Sequence, residues 1–132
     1  MKVLDRTLPA LVVDDSRTMC SIMSRVLGQL GFLEIDQVTE GLDALNKLKS
    51  KRYGLVIIDL EMNPISGAEL IRLIGTDREI PPVPVVLTSA NRSAIAKAVA
   101  NAEREIADVY ILKPFTAEML GVKFRNVFGG PN

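Results

Sequence analysis

The sequence contains no histidine and only one cysteine, Cys20. A chain without histidine cannot form a catalytic triad that uses an imidazole base, and it also lacks the ligands of ordinary zinc sites. A single cysteine excludes a disulfide bond within the chain. Zinc proteins and enzymes that depend on a histidine triad are therefore excluded.

The sequence also has no excess charge and no long apolar run. The 16 basic and 16 acidic residues give a formal net charge of zero, which does not favour nucleic acid as a primary partner. No apolar run reaches the roughly 18 residues of a membrane-spanning helix, so we expect no membrane span. The N-terminus, residues 1–6, carries charges where a signal peptide needs an apolar core. We therefore expect a cytoplasmic protein.

The length and apolar content of the chain suit one domain. The chain has 132 residues, and 48% of them are hydrophobic. This is enough for one core, but the chain is too short for two domains. No Ser/Gly-rich linker or internal repeat divides it. We therefore expect a single domain over residues 1–132, with its core over about 8–128.

Short apolar runs alternate with segments of helical periodicity along the whole chain. The runs predict five strands, at residues 10–13, 33–38, 53–60, 85–89 and 108–112. The periodic segments predict five helices, at residues 16–30, 41–51, 67–74, 92–105 and 116–128. This alternation favours βαβ units, a parallel sheet and helices on both of its faces. The predicted fold class is a doubly wound α/β fold.

Charged and hydroxyl side chains stand where four of the predicted strands end. Asp14 and Asp15 follow the first strand, and Asp59 ends the third. Thr88 lies at the end of the fourth strand, and Lys113 follows the fifth. Since the carboxyl ends of parallel strands line one crevice, we expect these side chains to meet there. Three carboxylates and one ammonium suit a hard divalent cation beside a phosphoryl group.

Each of these residues also has a simpler structural interpretation. Asp15 can stabilise the start of a helix, and Lys113 can extend its ammonium to solvent. Asp59 and Thr88 can belong to ordinary turns. In the functional interpretation, Asp59 is a nucleophile that takes up a phosphoryl group as an acyl phosphate, with Mg²⁺ beside it. The joint occurrence of the residues at four strand ends favours the functional interpretation.

With these residues, the chain resembles the receiver domain of bacterial response regulators, in a layout similar to the stand-alone chemotaxis type. The stretches that carry the resemblance are residues 11–16, 56–60, 86–90 and 110–115, together with Gly67. The resemblance covers about residues 8–128. It implies a flavodoxin-like fold in which a five-stranded parallel sheet has the order 2-1-3-4-5.

The resemblance further implies the chemistry of the site. Asp59 would accept a phosphoryl group from a phosphohistidine on a sensor histidine kinase or a histidine phosphotransfer protein. Asp14, Asp15 and Asp59 would hold Mg²⁺ together with the backbone carbonyl of Glu61. The lack of histidine in this chain fits, because the donor histidine must belong to the partner.

The resemblance also implies a signalling role and not that of a metabolic enzyme. Lys113 would contact the phosphoryl group, while Thr88 and Tyr110 would form a switch pair. Tyr110 has the alternative interpretation of a half-buried strand tyrosine with its hydroxyl in water. The region 92–128 would present the output surface to a downstream protein. The only reactions catalysed would be self-phosphorylation and slow dephosphorylation.

The chain departs from the receiver pattern at several positions. Asn63 stands where the family usually has proline, and Pro64 follows it. Glu61 and Ala90 occupy positions that vary in the family and tend to set the lifetime of the acyl phosphate. We hypothesise that Glu61 alters water access and charge beside the phosphoryl group. The segment 89–112 is longer than in the single-domain chemotaxis protein. The bond between Lys113 and the next proline is the best candidate for a cis peptide.

Other functions remain open at this stage. The chain could be the receiver fragment of a larger regulator, or a receiver-like interaction domain that is not phosphorylated. A phosphohydrolase could use Asp59 as its nucleophile and Glu61 as a proton donor, although no cap domain fits in this length. A flavin or nucleotide binder would need a phosphate loop after the first strand, where Asp14 and Asp15 have the wrong charge.

Overall fold

Strands and helices alternate through residues 2–100 and 107–129, the part of the chain that this computed structural model describes. The strands are β1 (Ala10–Val13), β2 (Ile35–Val38), β3 (Leu55–Asp59), β4 (Val85–Ser89) and β5 (Val109–Leu112). The helices are α1 (Arg17–Gln29), α2 (Gly41–Ser50), α3 (Gly67–Thr76), α4 (Arg92–Ala100) and α5 (Ala117–Phe128). All ten predicted elements are confirmed. Both β2 and β3 begin two residues later than predicted, and the predicted helical segment 101–105 lies outside the described residues.

All five strands belong to one parallel sheet of order β2-β1-β3-β4-β5. The predicted fold class and strand order are therefore confirmed. Since β1 and β3 lie at the centre, their carboxyl ends open side by side into the crevice where the strand order reverses. The register pairs Asp59 of β3 directly with Thr88 of β4.

The sheet is buried on both faces, and its strand residues alternate between two apolar clusters. In β1, Leu11 and Val13 belong to the cluster covered by α2 and α3. Ala10 and Val12 belong to the opposite cluster, which α1 and α5 cover. Because both faces of the central strands are covered, these strands are almost purely apolar until their final residues. A polar side chain at a strand end is therefore held by a rigid frame.

Helices start close to the carboxyl edge of the sheet, and hydroxyl caps set three of these starts. The side chains of Ser16, Ser66 and Thr116 accept hydrogen bonds from the backbone N–H groups three residues ahead, at 3.1–3.2 Å. Such caps satisfy donors that the first turn of a helix leaves free. Ser16, and not Asp15, caps α1, so the helix-cap interpretation of Asp15 is wrong. Among the described residues, no helix has both the length and the apolar character needed to cross a membrane.

Candidate functional site

The end of β1 places one buried and one exposed carboxylate side by side. The backbone N–H of Asp14 donates to the carbonyl of Val38 at 3.2 Å, which extends the pairing with β2 by one residue. Its side chain is 1% exposed, and Oδ1 accepts from the N–H of Ser16 at 2.9 Å. Asp15 is exposed. Asp14 is thus fixed by the fold, while Asp15 stands at the mouth of the crevice.

Asp59 is the last residue of β3, and two backbone hydrogen bonds fix the residue that follows it, Leu60. The next N–H, that of Leu60, donates to the carbonyl of Thr88 at 2.7 Å, and the Leu60 carbonyl accepts from Gly67 at 2.9 Å. Gly67 lies so close that an added Cβ would be 2.3 Å from the carbonyl oxygen of Asp59. Only glycine permits this approach. The loop after β3 therefore closes although Asn63 stands in the usual place of proline, and the bond between Asn63 and Pro64 is cis.

The three aspartates come together at the carboxyl edge. One carboxylate oxygen from each of Asp14, Asp15 and Asp59 lies within 4.8 Å of the other two. Three negative charges at this spacing repel one another unless a cation lies among them. Carboxylate oxygens are the ligands that Mg²⁺ prefers in proteins, so this donor set fits the predicted ion. The structure confirms the sequence-based prediction that these residues meet.

Lys113 is directed into the same cluster. Its Nζ lies 2.9 Å from Oδ1 of Asp59 and 3.2 Å from Oδ2 of Asp14, and its side chain is only 11% exposed. The interpretation in which this ammonium extends to solvent is therefore wrong. The peptide bond between Lys113 and Pro114 is cis, as predicted.

The surroundings shift the pKa values of the ion pair. Burial raises the pKa of the Asp59 carboxyl to about 6, and the charges of Asp14 and Glu61 act in the same direction against the lowering effect of Lys113. Burial alone would lower the pKa of the Lys113 ammonium, but its hydrogen bond to Asp59 and the charges of Asp59 and Asp14 raise it. The Asp59 carboxylate is thus poorly solvated, while the lysine stays charged.

Thr88 and Tyr110 lie on neighbouring strands next to the cluster. Thr88 is a strand residue that is fully buried, so its interpretation as part of a turn is wrong. Its Oγ1 has no hydrogen-bond partner within residues 2–100 and 107–129. Tyr110 is half-buried, and its hydroxyl oxygen is shielded from water, which differs from the wet hydroxyl of the simpler interpretation. For Thr88, a buried hydroxyl without a partner among the described residues is costly and can donate to an incoming acceptor group.

A hydrogen bond that the sequence did not reveal spans the rim of the site. Ser89 Oγ lies 2.6 and 2.8 Å from the two carboxylate oxygens of Glu61 and donates its proton to that carboxylate. Ser89 is fully buried at the end of β4, whereas Glu61 is exposed in the loop after β3. The available signal was the same as for Thr88: a hydroxyl residue in the last positions of an otherwise apolar strand.

Comparison with known proteins agrees with this geometry. The family model described as the response regulator receiver domain matches residues 10–125. The chain therefore belongs to the response regulator receiver family. It is 32% identical over 126 residues to the chemotaxis protein CheY-3 of Vibrio cholerae, with 96% of this chain and 95% of that protein covered.

Solved structures show the same fold. The chemotaxis response regulator CheY4 of Vibrio cholerae matches with a TM-score of 0.76 at 25% identity, over 92% of this chain and 98% of that one. The receiver domain of a sensor histidine kinase from Pseudomonas aeruginosa matches with a TM-score of 0.77 at 22% identity, over 94% and 99% of the two chains. That structure contains a magnesium ion coordinated in its active site cleft. The predicted family resemblance is thus confirmed.

Proposed function

We propose that Asp59 is the phosphoryl acceptor of this receiver and that a phosphohistidine on a sensor histidine kinase or a histidine phosphotransfer protein is the donor. The observation that carries the proposal is the grouping of three carboxylates within 4.8 Å, with the ammonium of Lys113 2.9 Å from Asp59. Asp59 belongs to this carboxylate group and also forms the shorter of the two ion pairs with the lysine. We also propose that the protein is cytoplasmic. That residues 1–132 form a single domain remains a prediction.

The transfer is a displacement at phosphorus. A carboxylate oxygen of Asp59 attacks the phosphorus atom of the phosphohistidine, so that a P–O bond forms while the P–N bond breaks. The electron pair of the broken bond stays on the imidazole nitrogen, which takes up a proton from water. Hydrolysis of the acyl phosphate later returns the carboxylate and releases inorganic phosphate. Self-phosphorylation and slow dephosphorylation are the only reactions in this proposal.

The same residues would hold Mg²⁺. Asp14, Asp15 and Asp59 supply the carboxylate oxygens, and the backbone carbonyl of Glu61 is the further ligand expected from the family. The bound ion would neutralise the negative charge that collects on the transferring phosphoryl oxygens. The ammonium of Lys113, which pairs with Asp59 and Asp14, would contact an oxygen of the phosphoryl group.

Thr88 and Tyr110 would pass the change to the surface. The buried Thr88 hydroxyl has no partner within the described residues, and a phosphoryl oxygen on the adjacent Asp59 would supply an acceptor for it. Movement of Thr88 would open space that Tyr110 can enter, so that phosphorylation shifts the population between two states. Tyr110 lines a groove with Ile95, Val99 and Val127, all of which belong to the predicted output region 92–128. A downstream protein would bind there.

Phosphorylation with a small donor tests the proposal directly. The full chain is incubated with acetyl phosphate and Mg²⁺, and the intact mass is measured with and without Mg²⁺. We expect a gain of one phosphoryl group that requires Mg²⁺ and is lost in Asp59→Asn. A phosphoryl gain that persists in this variant would remove Asp59 from the acceptor role. Turnover of a chromogenic phosphomonoester would instead favour the phosphohydrolase.

A further inference from the structure

Ser89 connects three parts of the candidate site. Its backbone carbonyl accepts a hydrogen bond from the N–H of Lys113 at 2.8 Å. Its hydroxyl oxygen accepts from the N–H of Asn91 at 2.9 Å and donates to the carboxylate of Glu61. Since Ser89 is 0% exposed, both the residue and its hydroxyl are held in place.

Glu61 would not stay near the acidic cluster without such a contact. Its side chain is exposed, and it lies in the loop after β3, two residues beyond Asp59 of the three-carboxylate cluster. Repulsion from these charges and the rotamer freedom of a long side chain both favour an orientation toward solvent. The hydrogen bond from Ser89, at 2.6 and 2.8 Å to the two oxygens, opposes both effects.

The charge of Glu61 acts on the site from this position. Ser89 follows Thr88, which pairs with Asp59 in the sheet, so the hydrogen bond from Ser89 holds the Glu61 carboxylate at the adjoining ends of β3 and β4. A negative charge in this position attracts a cation bound by Asp59. The strength of this attraction depends on how close Glu61 is kept.

We propose that Ser89 is a positioning residue that holds the carboxylate of Glu61 beside the acidic cluster, where this fourth negative charge strengthens the binding of the divalent cation. The inference rests on the proposed Mg²⁺ site of Asp14, Asp15 and Asp59. It assigns a role to the side chain of Glu61, separate from the expected ligand role of its backbone carbonyl, and it makes that role dependent on Ser89.

Calorimetric titration of the full chain with MgCl₂ at low ionic strength tests the inference. Glu61→Gln keeps the shape and an acceptor oxygen but removes the charge, and we expect it to weaken Mg²⁺ binding about three- to tenfold. Ser89→Ala should cause most of the same loss of Mg²⁺ affinity. The double variant should bind Mg²⁺ no more weakly than Glu61→Gln alone, because both changes remove the same electrostatic effect. Glu40→Gln is the matched control: it removes an exposed glutamate after β2 that has no capping hydrogen bond, and we expect less than about a twofold change.

Salt dependence separates a positioning role from a structural one. The difference between wild type and Ser89→Ala should shrink as salt is added, because an electrostatic effect in an open cleft is screened, whereas a packing defect is not. Ser89→Cys, which keeps the shape of the side chain with a slightly larger atom and donates only weakly, replaces the alanine variant if that variant does not fold. Wild-type affinity in the Ser89 variant, or additive losses in the double variant, would overturn the inference.

The outcomes also distinguish this inference from the proposed function. If wild type binds no Mg²⁺, or if Asp59→Asn binds it as tightly as wild type does, the proposed site itself is wrong. If Asp59→Asn loses Mg²⁺ binding while Glu61→Gln behaves like Glu40→Gln, the site stands and only the role of Ser89 and Glu61 falls.

Discussion

The buried carboxylate of Asp59 should destabilise the folded protein at neutral pH when no divalent cation is present. Burial raises its pKa from an ordinary value of 3.8 to about 6, so the folded state binds this proton more tightly than the unfolded state does. The cost is therefore absent below about pH 4, grows as the pH rises, and is complete above about pH 6. The shift of about 2.2 pKa units, from 6 minus 3.8, corresponds to about 3 kcal/mol at 1.36 kcal/mol per unit.

Asp59→Asn removes this charge with little change in shape. Lys113 keeps Asp14 as a partner, at 3.2 Å, so the variant does not leave an ammonium without a counter-charge. We therefore expect the free energy of unfolding at pH 7.5 to rise by about 1–3 kcal/mol in the presence of a chelator. The gain should shrink as the pH falls from 7.5 and approach zero below about pH 4, where wild-type Asp59 becomes protonated in both states.

Urea unfolding followed by far-UV circular dichroism, at several pH values between 4 and 7.5, measures this difference. Asp43→Asn is the matched control, since Asp43 is an exposed carboxylate in the first turn of α2, and its removal should cost less than about 1 kcal/mol. Added Mg²⁺ should stabilise wild type more than Asp59→Asn, because only the complete site binds it well. A loss of stability in Asp59→Asn at pH 7.5, or a gain that does not change with pH, would refute the reasoning.

Two further predictions concern residues next to Asp59. Thr88→Val replaces a buried hydroxyl that has no partner within the described residues by a methyl group of similar shape. It should therefore raise the free energy of unfolding by about 1 kcal/mol in urea titrations, while blocking the conformational change that phosphorylation induces. A decrease of more than about 1 kcal/mol would show that the hydroxyl is hydrogen-bonded. Gly67→Ala should lower the free energy of unfolding by at least about 2 kcal/mol and reduce phosphorylation. The reason is steric, because the added Cβ would lie 2.3 Å from the carbonyl oxygen of Asp59 and 2.7 Å from Cα of Leu60. Gly28→Ala is the control, because Gly28 lies on an exposed turn of α1 and nothing lies within 4 Å of the added Cβ. In the same assay its free energy of unfolding should rise by about 0.5–1 kcal/mol. Similar results at both glycines would contradict the steric explanation.

Much of the fold and part of the site could be predicted from local patterns. The run Leu55–Asp59 is apolar up to its last residue, and this pattern alone indicates a strand buried on both faces whose end opens into a crevice. The same logic predicted that Asp14 and Asp59 would meet, because the carboxyl ends of parallel strands share one edge of the sheet. The strand order itself came from the family resemblance, since periodicity does not specify which strands are neighbours.

The electrostatic state of the site could not be predicted in this way. The pKa of Asp59 depends on how completely the loops and helices exclude water from it, which is a property of the packed structure. The contact between Ser89 and Glu61 joins residues 28 positions apart in the chain, and neither residue has a local pattern that points to the other. The cis bond between Asn63 and Pro64 was likewise not predicted.

The sequence by itself thus determined which elements form and which chemical groups stand at their ends, because both follow from the spacing of apolar residues and from the residue types that interrupt it. Only the tertiary structure decided how those groups act on one another. It places Lys113 between Asp14 and Asp59, leaves the Thr88 hydroxyl without a partner within residues 2–100 and 107–129, and connects Ser89 to Glu61. The physical reason is that charge interactions and hydrogen bonds depend on distances in space and on exclusion of water, and both arise only when the distant segments of the chain pack together.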